Sequence, residues 1–158
     1  MVDAGLFGPS DRLELLDGEI IDRVPQQSRH ATAVTLVGDA LRAVFGPGAT
    51  VRVQLPFCLD DHSEPEPDVA VVPGNPRSYR DAHPTQALLL CEIADSTLAY
   101  ARAGIPEYWI LALETERLEV FRRPDAGIYV EKRVRSGAEA IAPLARPTQT
   151  VLVRDMLP

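Results

Sequence analysis

The sequence is nearly without lysine: Lys132 is the only one among 16 basic side chains, and the others are all arginine. Chemistry that needs an ammonium on a flexible stem therefore has one candidate. Cysteine is almost as scarce. Cys58 and Cys91 sit inside apolar runs with no CxxC spacing, which argues against a zinc site or a disulfide framework and makes both reduced core residues. No apolar run reaches the roughly 18 residues that a membrane span requires, and the opening MVDAGLFGPS lacks a basic segment followed by an apolar one, so a cytoplasmic protein is expected. Positive charge is in deficit overall, with a formal net charge of −7. That argues against a surface built as a whole to hold phosphates, and leaves room for a local basic patch.

What is present suffices for an ordinary core: 46% of the 158 residues are hydrophobic, which fits a single domain over residues 1–158. Two short apolar runs flank Asp17-Gly18 between Leu13 and Val24, and that dipeptide suits a tight hairpin turn. Ser28 is placed to cap a helix whose apolar side is Ala31, Val34, Val37, Leu41 and Val44 or Phe45, stopped by Gly46-Pro47-Gly48. From Thr50 the pattern becomes strict alternation, with Val51, Val53, Leu55, Phe57 and Leu59 on one face of an expected strand. Val69 to Val72, the run ALLLCEIA and the run EYWILAL read as three further strands, the last two buried on both faces. The stretch 117–135 reads as a hairpin turning between Pro124 and Gly127, with a weaker strand near Thr150 to Val153. These elements describe an α+β, or mixed α/β, domain with one sheet, in which ALLLCEIA to EYWILAL is the parallel crossover.

Two carboxylates stand out. Glu92 lies inside an apolar run, where an ionised side chain costs several kcal/mol unless a cation, a donor or water meets it. Asp68 opens the preceding strand after a segment that also holds Asp60, Asp61, Glu64 and Glu66. Two such carboxylates at one sheet edge could hold a hard divalent ion such as magnesium. The plainer alternatives are a solvated acidic loop and an arginine partner for Glu92. His30, at the helix start, reads as a capping or solvent-facing residue, and His62 and His83 fall in loops.

The strings RLELLDGEIIDRVP, SRHATAV, EPDVAVV, EIADST and, above all, YARAGIPEYWIL followed by LEVFR occur here in an order that resembles the Uma-two family of restriction-endonuclease-like proteins. The likeness runs from about Arg12 to Phe121, with the 117–135 hairpin extending beyond it. That family is similar to the PD-(D/E)xK nucleases. The resemblance implies a central mixed sheet with a long N-terminal helix and a short crossover helix. It implies a catalytic set of Asp68, Glu92 and Glu19, with Glu14 competing for the place of Glu19. It further implies magnesium held by Asp68, Glu92 and the carbonyl of Ile93, and a DNA substrate cut by a homodimer.

The family's lysine is less easily placed. Position 94, where the plain nuclease motif carries it, is Ala94, and the family resemblance puts a basic residue instead in a stretch ahead of a YARAGI-like string. Here Tyr100 passes directly to Ala101, and no such stretch is present. Asp95 to Pro106 is also the bare minimum for a parallel crossover, which normally takes about a dozen residues or more. Either the chain has lost a helix or the sequence omits a segment, and the second is favoured because a lost crossover helix takes core with it. Lys132 belongs with Arg122, Arg123, Arg133 and Arg135 in a basic strip suited to phosphate contact. The function implied is that of a metal-dependent nuclease. The rival reading is a degenerate nuclease fold that serves as an interaction or dimerisation module.

Overall fold

The computed structural model describes residues 13–22, 27–93 and 100–158, the side chains of residues 21 and 22 excepted. A mixed sheet of six strands organises the chain. In spatial order these are β3 (Ala49–Val53), β4 (Val69–Pro73), β5 (Leu89–Glu92), β6 (Glu107–Ala112), β7 (Arg117–Asp125) and β8 (Ile128–Ser136). Within this sheet β5 and β6 run parallel, with Cys91 opposite Trp109, and the remaining neighbours are antiparallel. The 117–135 hairpin is part of this sheet: β7 pairs with the whole of β6 and carries the sheet outward. Its turn falls at Ala126-Gly127, where φ is +48° and +82°, the left-handed pair that matches the twist of a two-residue hairpin. A separate hairpin, β1 (Leu13–Leu16) and β2 (Glu19–Asp22), turns at Asp17-Gly18 as expected. It hangs on the loop ahead of β4, through Glu64 N–H to the Leu15 carbonyl and Asp17 N–H to Ser63 Oγ.

One long helix, α1 (Ser28–Phe45), covers one face of the sheet. Its Val34, Val37, Leu41 and Phe45 pack with Val69, Val71, Leu89, Cys91, Trp109 and Leu111, and the short strands β9 (Ala140–Ile141) and β10 (Val151–Leu152), with Met156, complete this core. Fully burying each large apolar side chain of this kind contributes roughly 1.5–3 kcal/mol, so the helix is fixed by its apolar stripe more than by its ends. Two details depart from the sequence reading. Ala33, not Ala31, faces the sheet, and the helix is capped at Gln27 without a side-chain bond, with Ser28 already inside it. Among the described residues no helix is long and apolar enough to cross a membrane.

The alternation from Val51 to Leu59 does not make one strand. Gln54 adopts φ +48°, and its N–H points to the carbonyls of Pro67 and Asp68 at 3.1 and 3.2 Å, which turns the chain out of β3. Val51 and Val53 stay on the helix side. Phe57 instead enters a second core on the opposite face, with Ala70, Val72, Leu90, Tyr100, Ile105, Tyr108 and Ile110, and Leu55 is left 46% exposed. A period of two cannot register one residue in the left-handed region, after which the faces exchange.

The crossover from β5 to β6 passes through residues 94–99, outside the described residues, where most of the expected short helix would lie. Tyr100 to Ile105 is a closed turn. Ile105 N–H reaches the Tyr100 carbonyl at 3.3 Å and Gly104 N–H the Ala101 carbonyl at 3.1 Å, with Gly104 at φ +71°. This is the paired hydrogen bonding of a Schellman C-cap, with Tyr100 and Ile105 in one apolar cluster. Tyr100 and Ala101 both belong to this turn as its carbonyl acceptors.

Candidate active site

The strand register builds the site. Carrying the β3–β4 pairing one residue past Val53↔Val69 sets Gln54 opposite Asp68, and carrying the β4–β5 pairing past Val69↔Cys91 sets Asp68 opposite Glu92. Opposite residues of neighbouring strands share a face, so these three side chains form a row at the strand ends, on the face away from α1. The row continues through Ile110 to Glu119. Apolar residues around it exclude water: Asp68 is 4% and Glu92 7% exposed.

Each carboxylate is held by several donors. Asp68 Oδ2 accepts the Ile93 N–H at 2.9 Å, while Asp68 Oδ1 lies 3.1 Å from both His30 Nε2 and Gln54 Nε2. Glu92 Oε2 accepts the Asp68 N–H at 3.2 Å, and Glu92 Oε1 accepts the Tyr100 hydroxyl at 2.7 Å. The carboxylates therefore lock one another, since the backbone of each element donates to the side chain of the other. Among the described residues no lysine or arginine forms an ion pair with either of them. Burial accordingly pushes the Glu92 carboxyl up to about 8, with the Asp68 charge adding to the rise and the Tyr100 and Asp68 hydrogen bonds opposing it. Burial and the Glu92 charge likewise raise the Tyr100 hydroxyl, which keeps it a donor.

The sequence-derived residues are distributed unevenly around this pair. Asp68 and Glu92 come together as expected. Ile93 joins them through its N–H, which donates to Asp68 Oδ2 at 2.9 Å. Glu19 is exposed on β2, and Glu14, on β1, adds a small charge effect to the rise of both Glu92 and Tyr100. Arg122 is not available to phosphate: it is 8% exposed and bonded to the buried Glu107 at 2.7 Å. Lys132, Arg133 and Arg135 pair with Glu119, Glu131 and Glu139, and Arg123 stands exposed beside the hairpin turn. Lys132 projects on the same sheet face as Glu92, but its partner Glu119 sits two strands away, about 10 Å.

Three contributors escaped sequence reasoning. The sequence around His30 describes a capping or solvent-facing residue, yet the helix start sets its ring 3.1 Å from Asp68 Oδ1. Gln54 was placed inside a regular strand. Tyr100 belonged to a recognised string but had no assigned role, and its spacing from Glu92 across a crossover carries no local signal.

A family model described as "Putative restriction endonuclease" matches residues 3–154. Among solved structures, the chain is similar to the crystal structure of a "putative nuclease belonging to DUF820" from Anabaena variabilis, at 15% identity and a TM-score of 0.74, over 98% of this chain and 94% of that one. At that identity the likeness shows a shared fold. A search of the curated proteins finds no match. The family model spans nearly the whole chain, including the hairpin that bears Glu14 and the strands that bear Asp68 and Glu92, and the chain therefore belongs to the Uma2 family of restriction-endonuclease-like proteins.

Proposed function

We propose that this protein is a metal-dependent nuclease that hydrolyses phosphodiester bonds in DNA, with Asp68 and Glu92 holding magnesium. The observation that carries this reading is a pair of buried carboxylates, set side by side, with no lysine or arginine paired to them among the described residues. Burial holds the proton on Glu92 while no cation is bound, a cation set between the two groups would favour ionisation of both, and two carboxylates with the rest left to water suit a small, hard, reluctantly dehydrated ion. The described residues hold no cluster of three or more His, Cys, Asp or Glu side chains fit for a metal, so the protein's share of the ligands would be these two groups. Magnesium bound there supplies a Lewis acid for the phosphoryl oxygens and a water of lowered pKa.

The chain's own residues do the positioning. Tyr100 fixes one oxygen of Glu92 and the Asp68 backbone fixes the other, while Ile93 orients Asp68. Family membership supports the nuclease chemistry, and the same reading places the protein in the cytoplasm as a homodimer, with one site for each DNA strand.

The test is cleavage of plasmid and short duplex DNA with magnesium. Asp68→Asn and Glu92→Gln should each lose more than about a hundredfold, beyond the range typical of outer-sphere partners. Full activity in Asp68→Asn would sink the proposal. A second reading, an interaction module on a degenerate nuclease fold, is favoured by Lys132 being tied to Glu119 at 2.8 Å. It predicts a stable protein that neither cleaves DNA nor binds magnesium.

A further inference from the structure

The Asp68 carboxylate is treated differently at its two oxygens. A carboxylate offers about four lone-pair directions, two on each oxygen. Oδ1 lies within hydrogen-bond distance of two nitrogens, His30 Nε2 and Gln54 Nε2, both at 3.1 Å, which fill its capacity. Among the described residues Oδ2 accepts the Ile93 N–H and keeps one direction open, and each oxygen of Glu92 accepts one donor and also keeps one. The unspent capacity of the pair therefore lies on Asp68 Oδ2 and on Glu92. Because a carboxylate only accepts, the nitrogen that His30 presents to it must be the one bearing hydrogen, so that nitrogen has no lone pair for a cation.

Gln54 adds a second, independent observation. It holds φ +48°, a region that side chains other than glycine rarely adopt. Such conformations persist where the surroundings over-determine them, and they gather at ligand-holding sites. Here the strained residue is also the one that aims an amide at Asp68.

We propose that His30 and Gln54 form a two-donor clamp on Asp68 Oδ1, positioning this carboxylate so that its other oxygen and Glu92 together receive a divalent cation. The inference rests on the reading of Asp68 and Glu92 as a cation site, and it makes His30 a positioning residue, not a ligand. Hard cations, magnesium and manganese, should then be preferred over zinc, since no imidazole lone pair is offered.

The test is calorimetric titration of the full chain with manganese and magnesium chloride, alongside thermal melts without metal. His30→Ala should weaken manganese binding by about 10–100-fold, the usual effect of losing an outer-sphere partner. His30→Gln, which carries an amide nitrogen at nearly the reach of Nε2, should restore affinity to within a few-fold of the original. Gln54→Gly should weaken binding while its metal-free melting point holds or rises, because glycine accepts the positive φ. If His30→Ala binds as tightly as the original chain, the clamp is overturned and the cation site stands. If His30→Gln is as weak as His30→Ala, donation by His30 is overturned in favour of ligation or packing. If the original chain binds neither ion, the cation site itself fails, and the clamp with it.

Discussion

Glu92 is the residue on which the proposed chemistry turns, and its environment makes a measurable statement. Burial and the neighbouring Asp68 raise its carboxyl to about 8, from an ordinary 4.5. Below about 4.5 the group is neutral in both folded and unfolded chains and costs nothing. Between the two values the folded chain keeps a proton that the unfolded chain has released, so stability falls as pH rises, and it levels off above about 8. The expected result is a thermal midpoint that declines from pH 5 to pH 8 in the original protein more steeply than in Glu92→Gln, whose side chain does not titrate. Parallel curves would contradict the assignment. Asp68 and Glu92 were legible in the sequence because a carboxylate next to or inside an apolar run stands out against its neighbours. His30 was not, because its local sequence describes only a helix start, and the strand end that faces it lies 38 residues further on.

At the level of elements, turn chemistry announced itself and strand ends did not. Asp17-Gly18 was read correctly as a turn because few residues tolerate its backbone, and the second turn, Ala126-Gly127, lay at the end of the expected Pro124–Gly127 window. The end of β3 at Gln54 was invisible, since glutamine carries no such preference and the apolar alternation runs straight through it. The Glu107–Arg122 pair shows how β6, β7 and the C-terminal segment are joined. One oxygen of Glu107 accepts from Arg122 and from Trp109 Nε1, the other accepts the Leu144 N–H, and Arg122 also reaches the Ala142 carbonyl. Sequence alone made these residues a string in a family motif and one member of a basic strip. Their burial shows a structural lock, with Glu107 at 0% exposure. Glu107→Ala would leave the Arg122 guanidinium buried without its partner and should cost about 3–5 kcal/mol in urea unfolding. A loss below about 1 kcal/mol would show that the segment is held by packing alone.

For the whole molecule, the fold class was legible because the order of elements and one parallel step in an otherwise antiparallel set leave few arrangements. The charge distribution was less so. A strip of arginines around Lys132 reads as a phosphate-binding surface, but Arg122 and Lys132 meet carboxylates on neighbouring strands, Glu107 and Glu119, and Arg133 and Arg135 meet carboxylates close by in the chain, Glu131 and Glu139. Positive charge at the site must then come from elsewhere, and a bound cation is the proposed source. The most direct measurement is the anomalous difference map of crystals soaked in manganese chloride. The account predicts a peak between Asp68 and Glu92, on the side of Asp68 Oδ2, in the original protein and its absence in Asp68→Asn. A peak confined to the acidic loop at Asp60, Asp61 and Glu64, or none at all, would contradict it.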